Sequence, residues 1–178
     1  ALIEWQLHTM TRSNESAKAE WSEIDLDKKL WIIPAERMKM KREHVIPLTK
    51  QMISILSVLS NFKRPYCPYL FPSNRDPKKH INTETVNKVL RRIGYHNRLV
   101  AHGFRALAST TLNEQEFNPD VIEAALAHVD KNTVRKAYNR AEYLKHRTEL
   151  MKWWSEHIEE CAKGSLSVTA RIIDIKAG

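Results

Sequence analysis

The stretch His102-Gly103-Phe104-Arg105 opens a predicted helix that extends to about Asn113. Positions i and i+3 of a helix lie on one face, so His102 and Arg105 can point toward the same ligand. The start of a helix adds amide donors and the positive end of the helix dipole, and both favour an anion. The four residues therefore predict a phosphate-binding helix start. The alternative is a capping histidine beside a surface arginine.

Helices are predicted for most of the remaining chain. In residues 49–59, apolar side chains recur at helical spacing and form one face. Asn118-Pro119 combines a capping side chain with proline in the first turn, which is typical of a helix start. Gly94 is well placed to end the helix that precedes the quoted stretch. The predicted helical ranges are 1–10, 13–19, 49–59, 82–94, 102–113, 119–128, 133–138 and 143–160.

Three short segments are predicted to be β-strands. Residues 21–26 and 30–33 flank a polar turn, and residues 44–48 follow a charged connection. The sequence therefore predicts a mainly α fold with a small three-stranded antiparallel sheet. Residues 168–173 form a further candidate strand without an obvious partner.

Length and composition restrict the class of protein. The 178 residues suit one domain with its own core. We expect no secretory signal and no membrane span, because no apolar run approaches the ~20 residues that cross a bilayer. The two cysteines, Cys67 and Cys161, lie far apart, so neither a disulfide framework nor a zinc cluster is expected. A reducing cytoplasm is the expected compartment.

The balance of charge indicates a polyanionic partner. The formal net charge is +8 and the pI is near 9.5, and the alternative is an ordinary enzyme with a basic surface. The chain has only four glycines and no Gly-rich phosphate loop, which excludes P-loop nucleotide chemistry. We therefore expect no nucleotide cofactor.

Several motifs together resemble the tyrosine recombinase family. They are the quoted stretch, Ala127-His128, and Tyr138 ten residues after His128. The segments 21–26 (WSEIDL), 31–40 (WIIPAERMKM) and 45–48 (VIPL) are similar to the integrases of satellite prophages and genomic islands. The resemblance covers about residues 5–155 in the family's order. It implies the integrase catalytic-domain fold for residues 1–160, with upstream DNA-binding domains outside this chain.

The resemblance also implies a set of site residues. In the family the nucleophile forms a 3′-phosphotyrosyl link, and Tyr138 matches it, with Tyr143 as its competitor. A lysine on the strand-connecting turn protonates the 5′-hydroxyl leaving group, and Lys39 matches it. Glu15 matches an acid that helps to position the site. The implied catalytic set is Arg12, Lys39, His102, Arg105, His128 and Tyr138.

Neighbouring basic residues are predicted to contact DNA. Arg37, Lys39 and Lys41 alternate along a segment that we expect to be extended, and so would share one face. Arg37 and Lys41 also compete with Lys39 for the catalytic role. The predicted DNA-binding residues are Arg37, Lys41, Arg135 and Arg140.

The activity implied is site-specific recombination, the integration or excision of a prophage or genomic island without a metal. A non-catalytic DNA-binding module of the same fold and a type IB topoisomerase-like enzyme are the alternatives. A metal-dependent nuclease is disfavoured because the only dense acidic group, residues 20–27, lies on a strand and its turn with alternating faces.

The resemblance also implies partners and a place in the cell. These are double-stranded attachment sites, a homotetramer on DNA and a monomer in isolation, in the bacterial cytoplasm with the nucleoid. The tail 161–178 either docks onto a neighbouring protomer or is a disordered end.

Overall fold

The computed structural model describes residues 1–76, 78–128 and 140–163, with only the backbone given for 140–142. Within these ranges the architecture is mainly helical, with one small sheet. The helices are α1 (Leu2–Thr9), α2 (Ser13–Ala17), α3 (Lys50–Ser60), α4 (Thr85–Leu90), α5 (Gly103–Glu114), α6 (Pro119–Ala125) and α7 (Arg140–Ala162). The strands are β1 (Ile24–Asp25), β2 (Leu30–Ile33) and β3 (His44–Pro47). The predicted fold class is confirmed.

Local capping signals located most helix boundaries correctly. The Thr49 hydroxyl accepts a hydrogen bond from the Met52 amide at the start of α3, and the Asn118 side chain caps α6. Gly94 has a φ of +92° at the end of the α4 region, where a left-handed residue ends the helix. The helix predicted to start at Asn82 begins three residues later, at Thr85, because a turn precedes it in which the Asn82 side chain accepts from the Glu84 amide. The predicted helix 133–138 and the candidate strand 168–173 lie outside the described residues.

The sheet has the order β1-β2-β3, and both pairs are antiparallel. Trp31 lies opposite Ile24 on one side and Ile46 on the other. The first strand is shorter than predicted, because residues 21–23 form a 3₁₀ turn. The Glu23 carboxylate accepts from the Glu20 amide, 3.2 Å away, and stabilises this turn.

One large core joins the helices to the sheet. The Trp5 and Trp31 rings are fully buried, with centroids 5.0 Å apart, and pack α1 against β2. Trp154 of α7 is also buried, and its indole N–H donates to the Leu7 carbonyl of α1 at 2.9 Å. A smaller cluster of Val86, Leu90, Ala101 and Phe104 fixes the start of α5 against α4.

Polar contacts also hold α7 in place. Arg147 Nη1 donates to the Val45 carbonyl of β3 at 2.9 Å. The Ser155 hydroxyl lies 3.0 Å from both His8 Nδ1 and Thr49 Oγ1, so a buried polar cluster links α1, α3 and α7. None of the helices in the described part of the chain combines the length and the apolar character needed to span a bilayer.

Candidate active site

Arg105 lies at the centre of the site. Its side chain is 5% exposed, although it projects from the first turn of α5. Nη1 donates to the Met10 carbonyl and Nη2 donates to the Leu126 carbonyl. These carbonyls belong to residues two positions before Arg12 and two positions before His128. The Arg105 guanidinium therefore joins three separate chain segments that carry predicted site residues.

Arg12 is oriented by the carboxylate of Glu15. Glu15 Oε2 accepts from the Arg12 backbone amide at 2.8 Å, and Oε1 accepts from Arg12 Nη1 at 2.9 Å. The Glu15 side chain is 3% exposed, whereas 24% of the Arg12 side chain remains exposed. The carboxylate thus caps the start of α2 and fixes the direction of the Arg12 side chain while part of it faces solvent. The predicted partner role of Glu15 has this geometric basis.

The two arginines lie close enough to repel each other. Burial lowers the pKa of Arg105 to about 10, and the positive charge of Arg12 acts in the same direction. Glu15 and Glu123 partly oppose this shift. Arg105 remains a cation at pH 7, so two positive charges are held near each other by carbonyl and carboxylate contacts. Such a pair suits an anion with several oxygens, because each fork can bind two of them.

His128 faces Arg105 through one nitrogen and a carboxylate through the other. Nδ1 lies 2.8 Å from Glu123 Oε2, and Nε2 lies 3.1 Å from Arg105 Nη2. Arg105 can only donate, so neutral His128 carries its proton on Nδ1 and accepts through Nε2. Glu123 therefore fixes the tautomer and the ring orientation. Glu123 was not among the predicted site residues, although it is only five residues before His128.

A buried histidine and a partly buried arginine were also missed. His44 of β3 is 6% exposed. Burial first, and then the charges of Arg147, Arg105 and Arg12, together lower its pKa to about 3, against a contact with the Ala125 backbone. Burial also lowers the pKa of Arg147. A neutral ring thus lies among three arginines, where a charged one would add to their repulsion.

The remaining predicted residues fall into two groups. His102 is exposed directly before α5, and Lys39 is exposed in the connection from β2 to β3. Their convergence with Arg12 and Arg105 on one phosphate stays a prediction. Tyr138 and Arg135 lie outside the described residues, and for Arg140 only the backbone at the start of α7 is given.

The predicted shared face of Arg37, Lys39 and Lys41 is wrong. Residues 35–37 form a 3₁₀ turn instead of an extended segment, and the Arg37 side chain points inward. Arg37 binds the Glu23 carboxylate and the Glu15 carbonyl. Lys41 is exposed and its Nζ lies 3.3 Å from the Glu36 carbonyl, which leaves it available as a surface contact. Arg37 is therefore a poor candidate for DNA contact.

A basic surface beside α5 was not predicted. We call it the α4–α5 basic surface; its cations are Lys88, Arg91, Arg92 and Arg98, and all four are exposed. The Arg98 guanidinium lies 5.5 Å from the Tyr95 ring centroid. The Asn87 side chain accepts from the Ala101 amide at 2.8 Å, which ties this surface to the residue before His102. The run of arginines was the available sequence signal.

The acidic group at residues 20–27 is occupied by protein contacts. Glu23 binds Arg37 and the Trp31 indole, and Asp25 binds Lys28. Backbone and side-chain contacts with Lys28 lower the pKa of the Asp25 carboxyl. Among the described residues, no group of three or more His, Cys, Asp or Glu side chains is arranged to hold a metal ion.

Comparison with known proteins gives consistent matches. The profile of the phage integrase family matches residues 1–145. The chain is 48% identical to prophage integrase IntA of Escherichia coli (strain K12) over 168 residues, covering 94% of this chain and 40% of that protein. It is 37% identical to the integrase of Shigella phage Sf6 over 153 residues, covering 86% of this chain and 40% of the relative. The chain thus spans about two fifths of these curated relatives.

A solved structure shares the fold. The integrase from mycobacterium phage Brujita superposes with a TM-score of 0.61 at 19% identity, covering 85% of this chain and 49% of that one. At this identity the match concerns the architecture alone.

Proposed function

The chain belongs to the phage integrase family, and on that premise we propose that it is the catalytic domain of a tyrosine-type, site-specific DNA recombinase. The observation that carries the proposal is a pair of guanidiniums close enough to interact: half-buried Arg12, directly before α2, and buried Arg105, in the first turn of α5. The non-bridging oxygens of a phosphodiester can accept from both guanidiniums. The net positive charge of the chain favours binding to the polyanion DNA.

Arg12 and Arg105 bind the non-bridging oxygens of the scissile phosphate in this mechanism. Their charge stabilises the pentacoordinate transition state more than the ground state, because negative charge accumulates on those oxygens. His102 supplies a further polar contact to the phosphate, and His128 supports the Arg105 guanidinium by accepting through Nε2. Glu15 and Glu123 keep Arg12 and His128 in the orientation that this requires.

Tyr138 attacks the phosphorus while the bond to the 5′-oxygen breaks. The phenol gives its proton to water as the Oη–P bond forms, and Lys39 gives a proton to the departing 5′-oxygen. The product is a 3′-phosphotyrosyl link and a free 5′-hydroxyl. One phosphoester replaces another, so the reverse step rejoins the strand without a nucleotide cofactor or a metal. Integration and excision of a prophage or genomic island consist of such paired exchanges.

DNA contacts beyond the scissile phosphate come from exposed cations. Lys41, Arg135, Arg140 and the α4–α5 basic surface are our candidates. We leave Arg37 out of this set, because its guanidinium binds Glu23 and the Glu15 carbonyl. We further propose a monomer in isolation and a homotetramer on two attachment sites in the bacterial cytoplasm, associated with the nucleoid. The tail 161–178 would dock in trans within that tetramer.

A suicide substrate tests the proposal. The protein is incubated with a nicked duplex that carries its attachment core, in excess chelator. We expect a covalent protein–DNA adduct that is abolished by Tyr138→Phe and retained by the matched control Tyr143→Phe. An adduct formed by the Tyr138→Phe variant, or cleavage that requires magnesium, would refute it.

Two controls separate the alternatives. A non-catalytic module would bind this duplex without forming any adduct. A topoisomerase-like enzyme would relax supercoiled plasmid that lacks the attachment core.

A further inference from the structure

We propose that the Arg37–Glu23 ion pair is a positioning device that holds the Lys39 connection against the Arg12 segment. The inference rests on the proposed function, in which Lys39 protonates the leaving oxygen and Arg12 binds the phosphate. In this role Arg37 and Glu23 do not touch DNA. They fix the distance between two groups that do.

The contacts of Arg37 link the two segments directly. Arg37 Nη2 donates to the Glu15 carbonyl at 2.8 Å, and Nη1 binds Glu23 Oε1. Glu15 is the residue whose carboxylate orients Arg12. Arg37 lies two residues before Lys39, so a short series of contacts runs from the Arg12 guanidinium to the Lys39 connection. Only 16% of the Arg37 side chain and 6% of the Glu23 side chain are exposed.

Glu23 in turn is fixed to the core. Its second oxygen, Oε2, accepts from the Trp31 indole N–H at 2.9 Å and from the Glu20 amide at 3.2 Å. Trp31 is fully buried at the centre of β2. The ion pair therefore ties the connection between β2 and β3 to a fully buried residue of the sheet.

The backbone around Lys39 explains why such an anchor matters. Residues 35–37 form a 3₁₀ turn, and the following Met38 is 3% exposed in the main core. Lys39 follows Arg37 and Met38, which are both held by contacts within the protein. After it, the Lys41 amide donates to the Met38 carbonyl at 3.0 Å and closes a turn. Because the backbone on both sides of Lys39 is held, its exposed ammonium can reach only a limited range of positions. Loss of the Arg37 contacts would widen this range and lower the fraction of time in which Lys39 reaches the leaving oxygen.

A substrate with sulfur in place of the bridging 5′-oxygen isolates this role. A thiolate leaves without being protonated, so cleavage of the sulfur substrate does not need Lys39. For Arg37→Met we expect cleavage of the oxygen substrate to fall by about tenfold to hundredfold, with the sulfur substrate cleaved within about twofold of the parent rate. Lys39→Ala should behave likewise, whereas Arg12→Ala should slow both substrates.

Two measurements distinguish this role from a DNA contact. The Kd for the uncleaved duplex and its dependence on salt should match the parent in Arg37→Met, because a lost phosphate contact would reduce the salt slope by about one. Arg42→Met is the matched control, because Arg42 is an exposed arginine in the same connection. We expect the Arg42 variant to cleave both substrates at the parent rate.

A second variant covers the case in which Arg37→Met leaves Glu23 as an unpaired buried charge and fails to fold. The double variant Glu23→Gln, Arg37→Met removes that charge while the connection stays unanchored. Equal loss on both substrates in this folded protein, or parent rates on both, would overturn the inference. Failure of the parent itself to form any adduct would instead count against the proposed function.

Discussion

Acidification should destabilise the folded chain through His44. The pKa of this ring is about 3 in the folded protein, against 6.5 as the ordinary value. A base with a depressed folded pKa contributes stability that is fully present above pH 6.5 and is lost as pH falls toward 3, because the unfolded chain then binds the proton. Between pH 7 and about pH 4.5, this single group should lower the free energy of unfolding by about 3 kcal/mol.

Urea unfolding at a series of pH values measures this effect. His44→Gln keeps a polar, neutral side chain, so its unfolding free energy should fall by about 3 kcal/mol less than that of the parent over the same range. His96→Gln changes an exposed histidine and should follow the parent curve. Burial also lowers the pKa of His8. His8 therefore adds to the pH dependence of the unfolding free energy in the parent and in His44→Gln alike. Parallel curves for parent and His44→Gln would refute the reasoning.

Three further outcomes are expected. Arg105→Lys should lower the rate of adduct formation by about a hundredfold or more, because one ammonium cannot serve the Met10 and Leu126 carbonyls and a phosphate together; parent rates would contradict the central role of Arg105. Glu123→Ala should slow cleavage by about tenfold with little change in duplex affinity, since it frees the tautomer of His128; an effect on affinity alone would argue otherwise. Replacing Arg92 and Arg98 by Gln should flatten the plot of log Kd against log salt by about two, and an unchanged slope would remove the α4–α5 basic surface from the DNA interface.

Features that depend on neighbouring residues were predictable from the sequence. The Thr49 and Asn118 caps, the left-handed Gly94 and the strand β2 each follow from a few consecutive residues. The placement of His102 and Arg105 at the start of one helix was predictable for the same reason. The resemblance to tyrosine recombinases, confirmed by the family match, came from several such local motifs in a fixed order.

Features that depend on distant partners were not predictable. Arg37 looked like a surface cation because its acceptors, Glu23 and the Glu15 carbonyl, lie 14 and 22 residues away. His44 gave no sign of its arginine neighbours, which come from three helices. Backbone carbonyls are especially hard to foresee as partners, because every residue has one and only the folded path decides which are close.

The carbonyl anchors of Arg105 bear on how such a site can drift in evolution. A carbonyl is supplied by any amino acid, so the identities at positions 10 and 126 can change without removing the acceptors of the guanidinium. Both side chains are buried, so selection there would act on core packing. At position 10 it would also act on the shape of the turn, since Met10 adopts a φ of +54°. A lineage could replace much of the surrounding surface and still keep the Arg105 guanidinium in the same position.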